Sequence, residues 1–521
     1  MTDTSTNGAH KLNGRQRMNL DSLALQAELR ERLKGEVRFD AGTRAIYAHD
    51  SSNYRQVPFG VVIPKDEEDV VAAMEACHKH GAPVLPRGTG TSLSGETTNV
   101  AVILDTSKYM REILEVNPDE GYAWVQPGVI RDQLSDMTQD QCNLFFAPDT
   151  STHKWATFGG MLGNNSCGVH SVLAGRTSDN VYELDVVLYD GTRMTVGQTS
   201  EEELEQIIRD GGRKGEIYGK LKELRDRYAD LIRKRYPDIP RRVSGYNLPD
   251  LLPEKGFNVA RALVGSEGTL AVILRAKVRL VHSPPSRSLV VLGYPSAYEA
   301  GDHVSEILEY GPIGLEGLDT NLIRDMQEEN MHPQDIPLLP EGGGWLLVEF
   351  GGETDQESHD NAQKLIDALK EDDNAPDIQL FDQIDEAERI WGIRESGLGA
   401  TAYIPGEGEH WPGWEDSAVA PDRVGDYLRD LRGLFNKYNY DAALYGHFGD
   451  GCIHCRINFD LKTAEGLKNW HDFMSEAADL VVSYNGSLSG EHGDGQQRAE
   501  FLPKMYGEDL MQAFRDFKEI W

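Results

Sequence analysis

Three runs of small residues in the first half of the chain limit what it can be. Pro86-Arg87-Gly88-Thr89-Gly90-Thr91-Ser92-Leu93-Ser94-Gly95 directly follows Ala82–Leu85, an apolar segment that reads as a strand. Thr157-Phe158-Gly159-Gly160-Met161-Leu162-Gly163-Asn164-Asn165-Ser166-Cys167-Gly168 is longer and free of charge, and Pro148-Asp149-Thr150 precedes it. Val264-Gly265-Ser266-Glu267-Gly268-Thr269-Leu270 opens a further strand. Glycine lets backbone N–H groups approach phosphate oxygens, and Thr and Ser hydroxyls add donors. None of the three has the spacing of a dinucleotide fingerprint or the Gly-Lys-Ser/Thr of a Walker loop. Any one alone could equally be an ordinary tight turn. Three together, all in one half, indicate a large phosphate-bearing cofactor.

The segments around these runs predict alternating strands and helices. A helix is expected over Leu20–Leu33, and Gly60–Ile63 reads as a strand. The next helix is capped by Asp66, turns Val70, Met74 and Cys77 to one face, and stops at Gly81. Val100–Leu104, Tyr122–Gln126 and Leu184–Leu188 read as further strands, in a mixed region reaching about Val281. Pro284-Pro285 then interrupts regular structure. Beyond it, strands at Leu289–Leu292, Trp345–Phe350 and Ile378–Phe381 alternate with helices at Ser296–Glu309 and Asp355–Leu369. That pattern predicts one antiparallel sheet with helices on one face. Gln327–Gly344 reads as an exposed loop. The expected fold class is α+β, with a disordered tail (1–18), a first domain (19–283, core 54–283), a second (284–484) and a C-terminal segment (485–521).

Composition narrows the function classes. The 521 residues carry a formal charge of −34, which argues against nonspecific nucleic-acid binding, since phosphate contacts need clustered Lys and Arg. No run approaches 18 apolar residues and no secretory leader is evident, so a cytoplasmic protein, or one peripheral at the inner face of a membrane, is expected. Five Cys make a disulfide framework improbable.

Residues suited to chemistry cluster late in the chain. Tyr445-Gly446-His447-Phe448-Gly449-Asp450-Gly451-Cys452-Ile453-His454-Cys455-Arg456 centres on Asp-Gly, a two-residue hairpin signal. Counting outward pairs 447 with 454, so the two histidines would face each other with Cβ atoms about 4.5–5.5 Å apart, near enough to share a metal ion or merely a hydrogen bond. Cys452 and Cys455 would point to opposite faces and serve as filler. In Gly490-Glu491-His492-Gly493-Asp494-Gly495, Glu491 could complete a His-His-carboxylate set and His492 could be a general base; a solvated turn is the alternative. Arg394 lies in an amphipathic helix, where it pairs either with Glu388 or Glu395 or, facing a cleft, with a substrate carboxylate.

Together these strings resemble the FAD-dependent D-2-hydroxyacid dehydrogenases of the vanillyl-alcohol oxidase type, from about Tyr47 onward. The strings Ile393–Ala402 and Gly413–Val419 are nearest those of the large bacterial members fused to an iron–sulfur region. The resemblance implies a two-part FAD-binding domain of the p-cresol methylhydroxylase type plus an α/β cap domain with an antiparallel sheet. It places the pyrophosphate on Arg87–Gly95 and Pro86. Pro127, Gly128, Pro148, Asp149, Thr150, Thr157, Gly159, Gly160, Gly163, Asn164, Asn165, Cys167, Gly168, Gly265, Glu267 and Gly268 would line the rest of FAD. Thr89 and Thr91 stand where covalent relatives carry His, so FAD is expected to be noncovalent. His447, His454 and Glu491 would hold Zn²⁺, Mn²⁺ or Fe²⁺, His492 would take the substrate hydroxyl proton, and Arg394 would anchor the carboxylate.

The implied reaction is hydride transfer from a D-2-hydroxy acid, D-2-hydroxyglutarate or D-lactate foremost, to FAD. Electrons would then leave to a protein or quinone acceptor, such as an iron–sulfur subunit, and a homo-oligomer is compatible. Position 456 departs from the family: Arg456 replaces the usual Asn, which points to a second substrate carboxylate or a local ion pair with Glu491 or Asp494. No Cys-rich cluster motif follows, so the electron outlet would be a separate protein or a part outside this sequence. The competing expectations are an O₂-using oxidase and a noncatalytic FAD-binding subunit.

Overall fold

In the computed structural model the described residues are 20–521, except 372, 373, 405 and 407. The expected disordered tail lies outside them. The first half holds two larger sheets and a two-stranded one that pairs Leu144–Phe145 with Val281–His282. In the four-stranded sheet, Gly60–Ile63 and Val84–Arg87 flank Val102–Asp105 in parallel, and Glu36–Arg38 adds an antiparallel edge. Asp66 caps Glu67–His80 by accepting the Asp69 amide, and Gly81 ends that helix at φ +66. The strand Val84–Arg87 runs straight into the first Gly-rich run, which places that run at its C-terminal end. The second sheet, of five strands, is antiparallel and brings Tyr122–Val125 and Val181–Val187 onto either side of Val272–Arg279.

The second half is built on a seven-stranded antiparallel sheet containing Ser286–Tyr294, Gly314–Asp319, Gly344–Gly352, Asp377–Phe381, Ser417–Ala418, Ala442–Gly446 and Cys452–Ile457. Helices cover both of its faces, not one. Val290, Leu292, Leu346 and Val348 pack into one core, while Leu289, Val291, Leu318 and Leu347 pack against Leu322, Met326, Ile390 and Ile393 on the other side. The physical reason is legible in the chain: Leu289–Leu292 and Trp345–Val348 are continuous apolar runs, the mark of strands buried on both faces. The segment 327–344 is also less open than expected. Ile336 is buried in the second core, and the Trp345 indole donates to the Pro340 carbonyl.

The C-terminal segment returns to the first half. Tyr506 donates to the Ser244 carbonyl (2.6 Å) and Tyr228 to Asp516 (2.8 Å). Among the described residues, no helix is long and apolar enough to cross a membrane.

Candidate active site

The three small-residue runs converge on the walls of one cleft. Pro86, Arg87, Gly88, Thr89, Gly90, Thr91, Ser92 and Leu93 line it, with Pro127, Thr150, Thr157, Gly159, Gly160, Gly163, Asn164, Cys167, Glu267 and Gly268. The close approach depends on glycine: a Cβ on Gly88 would lie 2.2 Å from Thr157 Oγ1. The Arg87 guanidinium does not face the cleft as a phosphate ligand would. It donates to the carbonyls of Tyr47, His49 and Thr97, bracing the loop.

Eight residues expected at the cofactor lie outside this lining, Ser94 and Gly95 among them. Gly128 packs on the Thr106 and Met110 carbonyls, and Gly168 on the Asp149 carbonyl. Asn165 accepts the Ser178 amide, Gly265 donates to the Leu162 carbonyl, and Asp149 is bound to His170 at 2.6 Å. Pro148, next to Asp149, is also outside the lining.

Glu491 and His492 form part of the same cleft wall. The hairpin that faces them has a different register from the one read off Asp-Gly. Tyr445, not His447, pairs with His454, because Phe448–Asp450 forms a 3₁₀ turn and Gly451 leaves it at φ +75. A shift of two residues preserves the side-chain face, since the pleat repeats every two residues. The histidine rings therefore still meet, centroids 5.1 Å apart. Cys452 and Cys455 are buried, donating to Asp416 and to the Trp414 carbonyl.

Three imidazole nitrogens converge on one carboxylate oxygen. Glu491 Oε1 lies 3.2 Å from His447 Nε2, 3.1 Å from His454 Nε2 and 3.5 Å from His492 Nε2. The other oxygen accepts Arg241 Nη1 at 2.6 Å. His447, His454 and Glu491 are side chains of the kind a divalent cation takes, while the donor atoms that all lie within 4.8 Å of one another are those of His454, Glu491, His492 and Asp416, and His447 joins them through Glu491 Oε1. Burial alone would raise the Glu491 carboxyl, but His447 and Arg241 outweigh it and hold it well below its usual range. Burial pushes His454 down to about 4. It would lower His492 too, yet Asp416, Glu415 and Glu491 raise that imidazole to about 10.

Arg394 is buried, but neither Glu388 nor Glu395 is its partner. Its Nε donates to Glu316 Oε2 (2.7 Å), whose other oxygen accepts His447 Nδ1–H at 2.6 Å. Arg456 is likewise buried, and its nearest carboxylate is Glu415 at 4.0 Å, not Glu491 or Asp494. Among the described residues its Nε has no hydrogen-bond partner, nor have Glu415 Oε1 and His454 Nδ1. Buried polar atoms left this way mark a place for a polar ligand.

Sequence reasoning missed Arg241, Glu316, Glu415, Asp416 and Arg498. Their only signal was charge inside otherwise apolar or turn-forming strings, which names no partner. Arg241 joins Glu491 to Asp450 (2.8 Å) and to the Gly168 carbonyl.

Residues 58–197 match the FAD binding domain family, and residues 283–521 match the C-terminal domain of FAD linked oxidases. The chain belongs to the FAD-linked oxidases. It is similar to D-2-hydroxyglutarate dehydrogenase of Pseudomonas putida, 32% identical over 93% of this chain and 49% of the relative. Glycolate oxidase subunit GlcD of Bacillus subtilis is 27% identical over 93% of this chain and 92% of that one. The chain thus spans about half the length of the D-2-hydroxyglutarate dehydrogenases it matches. Its fold is that of p-cresol methylhydroxylase, with a TM-score of 0.64 at 14% identity, covering 95% of this chain and 93% of that one. 4-Ethylphenol oxidase from Gulosibacter chungangensis gives the same score at 15% identity, covering 95% and 94%.

Proposed function

We propose that the chain oxidises a D-2-hydroxy acid, with FAD held noncovalently and a divalent ion at His447, His454 and Glu491. The observation that carries this is the convergence of His447, His454 and His492 on Glu491 Oε1, with Glu491 and His492 in the wall of the FAD cleft. FAD accepts hydride when bound, and a divalent ion acidifies a coordinated hydroxyl. The protein's own residues do the rest. Arg394 and Arg456 orient the acid, and His492 Nε2 takes the hydroxyl proton. An imidazole raised to about 10 is a poor base until its acidic neighbours are compensated, which positive charge at Glu491 would do. Arg456, the least satisfied of these guanidinium groups, favours a diacid such as D-2-hydroxyglutarate over D-lactate.

Electrons pass to a separate acceptor. The nearly full-length likeness to a glycolate oxidase subunit favours an acceptor chain in a complex. Anaerobic bleaching of the flavin by a panel of D- and L-2-hydroxy acids tests the activity. Rapid bleaching by D-2-hydroxyglutarate is expected, and no bleaching by any acid of the panel would overturn the reading. Arg456→Asn should cost a diacid about ten- to a hundredfold in kcat/KM, with D-lactate almost unaffected; equal losses would remove the second-carboxylate role.

A further inference from the structure

Asn164 Nδ2 donates to the Glu491 carbonyl at 2.6 Å and Glu267 accepts the Asp494 amide at 2.8 Å, but the amides of Glu491 and His492 themselves go to a single side chain. Asp416 is fully buried. Its Oδ1 accepts the Glu491 amide at 2.8 Å and its Oδ2 the His492 amide at 2.9 Å. Ser489 Oγ and Cys452 Sγ supply two more donors, and the Asp416 carbonyl accepts the Gly490 amide at 2.7 Å. Two successive N–H groups aimed at one anion form a nest, here filled by the protein's own carboxylate.

Asp416 also lies within 4.8 Å of donor atoms on His454, Glu491 and His492, which would admit it as a metal ligand. Its hydrogen bonds exclude that. A carboxylate offers about four lone-pair sites, and four donors already occupy them. Its backbone adds a second observation: Asp416 sits at φ +76, where Gly and Asn are more readily accommodated. The bend alone would be served as well by either.

We infer that Asp416 is a positioning residue of the site. Its carboxylate fixes the main chain of two adjacent residues, and so aims the Glu491 carboxylate and the His492 imidazole together without meeting substrate or cofactor. This rests on the reading above only in taking those two side chains as the working ones.

The test compares Asp416→Asn and Asp416→Gly with the parent in the full, FAD-loaded chain. Three quantities are measured: FAD content, Zn²⁺ and Mn²⁺ affinity by equilibrium dialysis, and amide hydrogen exchange across residues 487–495. Both variants should keep FAD, since Asp416 does not line the cofactor cleft. Both should lose metal affinity by roughly 10–100-fold and exchange faster at Glu491 and His492. If Asp416 served only the bend, both would match the parent in affinity and exchange, and that result would overturn the inference. Should neither variant fold, Ser489→Ala removes one of the four donors and should weaken metal binding in the same direction; unchanged affinity and exchange there would be equally fatal. A parent protein that binds neither ion would defeat the metal reading alone, and the exchange comparison would still decide the role of Asp416.

Discussion

Glu316→Gln removes one charge and keeps the shape, at a carboxylate that serves two partners. Glu316 is fully buried, accepting His447 Nδ1–H on one oxygen and Arg394 Nε–H on the other. Burial alone would raise its carboxyl, but His447 and Arg394 outweigh that and hold it below its usual range. Glutamine offers one acceptor, so its amide N–H must point at one of the two donors. Leaving a buried charge without its partner costs about 3–5 kcal/mol. Arg394 also lies 5.1 Å from the Tyr445 ring centre, which retains part of its stabilisation. The expected loss is therefore near the low end, about 3 kcal/mol. At about 2–4 °C per kcal/mol for a domain of 150–250 residues, scanning calorimetry should show roughly a 6–12 °C fall for the second half. Arg394→Met in the same background removes the stranded cation and should recover most of it. A fall under about 2 °C, or strictly additive losses in the double variant, would refute the account of this pair.

Gly88→Ala forces a Cβ to within 2.2 Å of Thr157 Oγ1 and should lower FAD affinity about 10–100-fold, consistent with an overpacking cost of about 1–3 kcal/mol; unchanged flavin titration would contradict it. His447→Ala should abolish stoichiometric metal binding while FAD content stays at the parent level, because His447 is not in the cleft lining; full metal occupancy would remove it from the ligand set. Burial would lower His170, but Asp149 and Glu349 raise it to about 9. Its stabilising contribution is therefore complete below the unfolded value near 6.5 and fades as pH rises toward 9, so His170→Gln should destabilise most at pH 6 and least at pH 9.5. A penalty equal at both pH values would show that the charge plays no part. Stripping divalent ions should move the rise of flavin reduction with pH to more alkaline values, since His492 is then held protonated by its carboxylates; a pH profile that does not move would discount that coupling.

Much of the fold was legible because its signals are local. Asp66 and Gly81 bound their helix as caps do, and Asp355–Leu369 was readable from periodicity. The cofactor cleft was legible because three runs of Gly, Ser and Thr occur together, where any one alone could be an ordinary turn. Register was not. Asp450-Gly451 signals a two-residue turn, but the chain spends Phe448 and Gly449 on a 3₁₀ turn as well, which only the packing of Gly449 against Leu315 and Val172 dictates. The partners of Arg394 and Arg456 were equally hidden. The sequence offered Glu388 and Glu395 nearby, while Glu316 is 78 residues away and reached only through the sheet. Long-range charge pairing has no periodicity to read.

The docking of the last segment has a consequence for how the protein is made. Arg498 donates to Ser94 and to the Gly493 and Glu415 carbonyls, and Gln496 to the Gly95 carbonyl, so the final wall of the cleft is fastened to its first loop. A ribosome adding about 5–20 residues per second needs roughly 10–40 s to pass from residue 284 to 484. Throughout that interval the first half can fold with its cleft open along the side that Glu491 and His492 later close. A chain that takes up its cofactor within that interval does so before Glu491 and His492 complete the wall.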